Sequence, residues 1–202
     1  EESASAQWLD RAINGGGDRR YKLFCEGRSR VITEPPATGY AAATVIGTTR
    51  CDDHLSMAWL AGKSPGIAVE NPRQTSAWQY PKRYGAVAPA FSRAILLEQH
   101  SLLLISGTAS IVGHQSLHAG TMAQLEEILR NISALEQAAL SLSTTNPIIG
   151  SPMFRVYLRD KDDLDLVVAR LQRTDTLRYA VFQGDICRTD LAIEIEAVYQ
   201  SD

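Results

Sequence analysis

Residues 191–199 read LAIEIEAVY, and the alternation in this stretch decides the layering of the fold. Successive side chains of a β-strand point to opposite faces. Leu191, Ile193, Ile195 and Ala197 therefore share one face, and Ala192, Glu194, Glu196 and Val198 share the other. The first face is apolar and reads as core. The second carries two carboxylates about 7 Å apart along the strand. A solvated outer face of an antiparallel sheet is one setting for such a pair, and the wall of a cleft is the other.

Working outward, RYAVFQGD (178–185) and MFRVYLR (153–159) read as further strands. DKDDLDLVVARLQR (160–173) reads as a helix whose acidic first turn suits its dipole. In MAQLEEILRNISALEQAAL, the residues Met122, Leu125, Leu129, Ile132, Leu135 and Ala139 follow the 3.6-residue period. That spacing predicts a long amphipathic helix, N-capped by Thr121. FSRAILLEQHSLLLISGTASI (91–111) reads as two strands around a tight turn at 98–101, with Gly107 where a backbone needs close approach. Residues 91–202 thus read ββαβαββ, an α+β layer with one sheet and two helices on one face.

The first ninety residues are less regular. Gly15, Gly16 and Gly17 form a break without the spacing of a nucleotide loop. Tyr21, Phe24, Cys25 and Arg28 recur at helical spacing, which predicts a short helix ended near Thr33 by Pro35 and Pro36. YAAATVIG (40–47) and LSMAWLAG (55–62) predict a hairpin across the polar TTRCDDH turn. Residues 64–89 hold four prolines and several aromatics without periodicity. A long irregular stretch of that kind predicts an ordered, substrate-lining loop.

Composition narrows the class. The chain has 202 residues, 45% hydrophobic and 21% charged, as in an ordinary soluble globular protein. Its net charge of -3 and lack of a basic block do not indicate a nucleic-acid surface. There is no apolar run of about eighteen residues, so no membrane span is expected. Cys25, Cys51 and Cys187 are odd in number and far apart, which argues against a disulfide framework and a zinc site and for a reducing, cytoplasmic setting. His114 and His118 are four apart but have no carboxylate partner motif, so no metal is expected there. The opening EESASA lacks Met, which predicts a processed or truncated chain. Sixteen Arg stand against four Lys, and Arg is the side chain suited to bidentate carboxylate recognition.

The order of elements in 91–202, with FSRAILLEQHSLLLISGTAS, AQLEEILRNISALEQA and the closing IEIEA, resembles the YjgF/RidA fold. Five blocks taken together, RRYKLFCEGR, ENPRQTSAWQYPKRYG, FSRA, ISGTASIVGHQS and GDICRTDLAIEIEA, resemble the chorismatases. That resemblance implies a YjgF/RidA-like (chorismate mutase-like) mixed sheet over 91–202. Residues 1–90 would then be the remainder of an N-terminal α+β domain plus the substrate-lining loop. It implies an enzyme that acts on chorismate without a cofactor, releasing pyruvate and a hydroxybenzoate, with 3-hydroxybenzoate favoured over 4-hydroxybenzoate. The small-molecule substrate would be the main partner, with no nucleic acid and no membrane, and the protein a monomer or small homo-oligomer.

Within that resemblance Glu194 is the catalytic acid, protonated through burial and through the neighbouring charge of Glu196. Two substrate carboxylates call for cations, and Arg73, Arg93, Arg155 and Arg178 are the candidates. Tyr80 and Tyr84 are expected to offer phenol hydroxyls. The resemblance gives Cys187 the role of a compact thiol that excludes water and directs the reaction to 3-hydroxybenzoate. Two rival readings share the cleft: a YjgF/RidA-type imine deaminase, and a module that binds an aromatic acid without turnover.

Overall fold

The computed structural model describes residues 17–33, 36, 39–48, 56–144, 150–174 and 176–200. Its centre is a six-stranded sheet. In chain order the strands are β1 (Ile67–Val69), β2 (Ala94–Leu97), β3 (Leu102–Ala109), β6 (Met153–Leu158), β7 (Arg178–Gln183) and β8 (Ile193–Gln200). They lie side by side as β1-β2-β3-β8-β6-β7. All neighbours are antiparallel except β6 and β7, which are parallel. A parallel pair needs a crossover, supplied by helix α3 (Leu164–Leu171). The long helix α2 (Thr121–Leu142) joins the two halves of the sheet. A small ladder of β4 (Ile111–Val112) and β5 (Gln115–Ser116) precedes it, and helix α1 (Gly17–Ser29) lies far upstream.

The apolar face of β8 packs as its alternation requires. Ile193, Ile195, Ala197 and Tyr199 align with Phe154, Val156 and Leu158 on one side and with Leu103 and Ile105 on the other. Leu125, Ile128, Ile132 and Leu135 of α2, with Val167 and Leu171 of α3, close this layer, and all are buried. Each such side chain taken out of water contributes roughly 1.5–3 kcal/mol before the entropy of ordering is subtracted. Leu191 is also buried, but it lies ahead of the strand, in a separate cluster with Ala109, Ile111 and Ile186.

Several local expectations are corrected. Residue 121 is the first of its helix and not its cap. Gly120 holds the cap position, and the Thr121 hydroxyl instead donates to Asp163. The second helix is shortened to 164–171, because residues 161–163 tighten into a 3-10 turn whose N-cap, Asp160, accepts from the Asp162 amide at 2.9 Å. The 98–101 turn is a 3-10 turn closed by Ser101 in the left-handed region, at φ 47°. No hairpin forms from 40–47 and 56–62. The first segment makes single bridges, Ala42 to Ser92 and Gly47 to Asp185, and the second forms no regular element and is exposed. Most of the turn between them, with Cys51, lies outside the described residues.

The segment 39–48 docks where β3 is irregular. The β3–β8 register shifts between Ile105 and Thr108. The Ser106 hydroxyl accepts from the Ala43 amide at 3.0 Å and donates to the Ser92 carbonyl at 2.6 Å. The Gly107 amide donates to the Thr44 hydroxyl at 2.9 Å. This bulge bends the strand and re-aims the backbone, and Thr44 of 39–48 packs at Gly107 beside Glu194.

Candidate active site

The two glutamates have different fates on that face. Glu196 lies opposite Arg155 of β6 and is ion-paired with it near the surface. Glu194 lies between Tyr157 of β6 and Ala109 of β3 and is 5% exposed. Among the described residues no hydrogen-bond donor is recorded for its carboxyl group, which fits against Gly107. A β-carbon at that glycine would stand 2.9 Å from the Glu194 carboxyl carbon and 3.0 Å from the Thr44 methyl. Burial is the main cause that pushes the Glu194 carboxyl up, to about 8. The Glu196 charge adds to it, and Arg93 opposes it. The group is a neutral acid at neutral pH.

Glu194 lines a cavity of about 930 Å³, including space open to solvent. Helix α1 supplies Tyr21, Cys25, Lys22 and Arg28, and the irregular 64–89 segment supplies Tyr80 and Tyr84. Four cationic side chains, Lys22, Arg28, Arg93 and Arg188, line it against Glu194 as its one carboxyl group among the described residues. That balance suits a polyanionic ligand.

Arg93 is 3% exposed. Its Nη2 donates to the Tyr80 hydroxyl at 2.5 Å and to the Thr75 carbonyl at 3.1 Å, while its Nε is buried without a partner among the described residues. A buried, unmatched N–H costs about 1–3 kcal/mol. The Arg93 backbone is tied to Glu70, whose carboxylate accepts from its amide at 3.2 Å. Cys187 also lines the cavity, half-buried, its thiol pushed up to about 12 by burial first and then by the Glu194 charge. A thiol raised in this way stays protonated at neutral pH. Tyr21 is also raised well above its ordinary value, chiefly by burial, with contributions from Cys187 and Cys25.

The structure thus brings together Glu194, Cys187, Tyr80, Tyr84 and Arg93. It does not bring Arg73, Arg155 or Arg178 to the cavity. Arg73 donates to Asn131 Oδ1 at 2.9 Å and pairs with buried Glu127. Arg155 is occupied by Glu196. Arg178 is exposed at the start of β7. Arg155 lies on the glutamate face, but across from Glu196, one step from the cavity. Sequence reasoning missed Arg188, Arg28 and Lys22. The helical spacing that singled out Arg28 gave no sign of what its face would meet.

It also missed the polar side chains that hold the walls. Gln124 of α2 donates to the His118 and Asp190 carbonyls and accepts from the Ala192 amide at 2.8 Å, fixing the entry to β8. Asn131 donates to the Ala109 and Ile111 carbonyls at 3.2 and 3.0 Å, fixing the end of β3. Arg159 donates to the carbonyls of Ile186, Arg188 and Leu191 at 3.1, 2.8 and 2.9 Å, which sets the loop carrying Cys187. No group of His, Cys, Asp and Glu that would hold a metal ion occurs among the described residues, nor a helix long and apolar enough to cross a membrane.

Known proteins share sequence and fold with this chain. No protein-family profile matches the sequence. A 3-hydroxybenzoate synthase of Streptomyces hygroscopicus is 33% identical over 92% of this chain and 58% of its own length. A chorismatase of Streptomyces rapamycinicus is 34% identical over 92% of this chain and 59% of its own. The chain is similar in sequence to these proteins over most of its own length. It spans less than two thirds of the curated relatives it matches. A crystal structure of a chorismatase superposes with a TM-score of 0.72 at 29% identity, over 89% of this chain and 57% of that one. A Rid-family protein of Yersinia pestis, YyfA, superposes with a TM-score of 0.51 at 15% identity, over 67% of this chain and 99% of that one. The α+β fold with a mixed sheet, expected from the sequence to be YjgF/RidA-like, is shared with both.

Proposed function

We propose that this chain carries a chorismatase activity, converting chorismate to pyruvate and a hydroxybenzoate, with 3-hydroxybenzoate as the ring product. The observation that carries the reading is a buried glutamic acid, neutral at neutral pH, facing a cavity rich in cations. Chorismate has two carboxylates and an enol ether that joins a pyruvyl group to the ring. The cations match the carboxylates, and the acid matches the ether.

Glu194 delivers its proton to the methylene carbon of the enol ether. The methylene becomes a methyl group, and positive charge develops on the ether carbon and oxygen. The ring carbon–oxygen bond then breaks, its electron pair forming the ketone of pyruvate. In the route to 3-hydroxybenzoate the neighbouring ring hydroxyl bonds to that ring carbon and gives its proton to the Glu194 carboxylate. Opening of the resulting ring oxide and loss of a ring proton restore aromaticity. Pyruvate and 3-hydroxybenzoate together have the composition of chorismate, so no net water is consumed. Attack by water would instead leave a dihydroxy-cyclohexadiene acid. Cys187, compact and uncharged, disfavours that water.

The test is incubation with chorismate, with released pyruvate coupled to a reductase and the ring product identified by chromatography. Pyruvate and 3-hydroxybenzoate from the wild type, both abolished in Glu194→Gln, support the reading. A diene acid in place of the aromatic product retains the acid and removes the role given to Cys187. An unchanged product ratio in Cys187→Ala or Cys187→Val does the same. The absence of pyruvate overturns the reading for this chain.

A further inference from the structure

His114 stands in the turn between β4 and β5, and the reaction chemistry leaves it unused. That turn is pinned on its far side. The Gly113 amide donates to the Arg73 carbonyl, and the Gly113 carbonyl accepts from the Thr75 amide, both at 2.8 Å. Gly113 itself lies in the left-handed region, at φ 57°. The backbone that carries the imidazole is therefore fixed.

The segment facing it has less support of its own. Residues 82–84 form a single 3-10 turn inside the irregular 64–89 stretch. The Tyr84 amide donates to the Pro81 carbonyl and the Gly85 amide to the Lys82 carbonyl, both at 3.1 Å. An isolated turn of this kind has poor hydrogen-bond geometry. Side chains tie it to the β4–β5 ladder. Arg83 Nη2 lies 2.9 Å from His114 Nδ1 and donates to the Tyr84 hydroxyl at 2.9 Å. That hydroxyl is 3.3 Å from the same Nδ1. The Tyr84 and His114 rings meet edge to face, with centres 5.8 Å apart. Tyr84 lines the cavity, whereas Arg83 and His114 do not. The Tyr84 hydroxyl is thus committed to partners outside the cavity, and its ring forms the wall.

A guanidinium group has donors only. His114 Nδ1 beside it is therefore an acceptor, and the imidazole carries its proton on Nε2 and is uncharged. A second proton, on Nδ1, would set N–H against N–H. It would also set an imidazolium against Arg83 and near Arg188, whose Nη1 donates to the His114 carbonyl at 3.0 Å. The Arg188 guanidinium carbon lies 4.0 Å from the centre of the Tyr84 ring. Residues 111–116 bring no carboxylate and no other charged side chain to offset that charge.

We infer that His114 is a positioning residue whose uncharged imidazole latches the 82–84 turn to the β4–β5 ladder and holds the Tyr84 ring in the cavity wall, and that protonation opens the latch. The inference rests on the proposed function for what the wall encloses, but not for the latch itself. Within that reading the latch limits binding on the acid side, while loss of the Glu194 proton limits turnover on the alkaline side.

The experiment is hydrogen exchange at the Tyr84 and Gly85 amides, read by nuclear magnetic resonance as protection factors across pH, beside the nitrogen-15 shifts of the His114 ring. In the wild type the neutral ring is expected to be the Nε2–H tautomer. Protection is expected to fall through the same midpoint at which that ring takes its second proton. His114→Leu should lower protection about tenfold, the loss of one net hydrogen bond, and abolish the pH response. His114→Asn supplies an amide oxygen as acceptor and does not titrate, so it should restore protection and keep it flat with pH. Tyr84→Phe removes the hydroxyl from the other side and should repeat the loss, which decides the matter if the Leu variant does not fold. With chorismate, His114→Leu should raise KM about tenfold and leave kcat within about twofold, because it loosens a wall and spares the acid. Wild-type protection in His114→Leu, an Nδ1–H tautomer, or an Asn variant as open as the Leu variant overturns the latch. A latch without pyruvate release sinks the proposed function alone. Pyruvate release with unchanged protection in His114→Leu sinks the latch alone.

Discussion

Replacing Gly107 by alanine is the sharpest perturbation of this site that leaves its chemistry nominally intact. The added carbon would stand 2.9 Å from the Glu194 carboxyl carbon and 3.0 Å from the Thr44 methyl, with one carboxyl oxygen closer still. Carbon atoms in ordinary contact sit about 3.5–4.0 Å apart, so the carboxyl group must retreat by roughly 0.5–1 Å. It sits on β8 between two paired strands, and the strand cannot follow it. Overpacking of this sort costs about 1–3 kcal/mol of stability. Displacement of a reacting group by about 1 Å costs on the order of a hundredfold in rate. In the pyruvate-release assay Gly107→Ala should therefore lose about two orders of magnitude in kcat, with KM nearly unchanged because the cationic lining of the cavity is untouched. A carbon-13 titration of the Glu194 carboxyl, assigned by its loss in Glu194→Gln, gives a reading independent of turnover. In the wild type its midpoint should lie near 8, and in the alanine variant it should move. A variant with wild-type kcat and an unmoved midpoint would refute the claim that the gap at Gly107 positions the acid.

Glu194 should also mark the pH dependence of folding. Its carboxyl is raised from near 4.5 to about 8, so the stability it contributes is full below about 4.5 and is lost as pH rises through 8. Glu194→Gln should match the wild type near pH 4 and exceed it at pH 9 by on the order of a few kcal/mol in urea unfolding. Glu196→Gln removes the like charge that is the second cause of the raised value, so the alkaline fall in kcat/KM should move to lower pH. Arg155→Ala leaves Glu196 unpaired and should move it higher. Arg73→Ala should lower stability by roughly 1–2 kcal/mol, because buried Glu127 and Asn131 each lose a partner. Thermal melts together with an unchanged KM would separate that structural role from ligand binding.

The layering of the fold was legible because β8 and α2 obey simple periods and bury one face each. The same alternation put Glu194 and Glu196 on a common face but not their separate environments. Those depend on the 39–48 segment covering one residue and on Arg155 reaching the other, neither of which is local in sequence. Tyr80 and Tyr84 were visible as aromatics in an otherwise irregular loop. Arg73 lies away from the cavity and Arg188 on its wall for a physical reason. Which arginine meets a buried carboxylate and which meets open space is set by contacts such as Asn131 with Arg73 and Arg159 with the 186–191 loop, and these join residues dozens of positions apart. The hairpin expected from 40–47 failed because those residues pair singly with Ser92 and Asp185.

The pairing of β3 with β8 has a consequence for how the protein acquires its chemistry. Leu102 aligns with Gln200, and Ala109 with Glu194, so the centre of the sheet closes a very long loop. Contacts of such sequence separation make folding slow, because loop-closure entropy must be overcome before they form. The acid is installed by the same event that zips the middle of the sheet. Without that pairing Glu194 lacks the burial that raises its carboxyl. If Glu194 is the acid of the proposed reaction, recovery of activity after dilution from denaturant should follow the slowest phase in which β8 gains hydrogen-exchange protection.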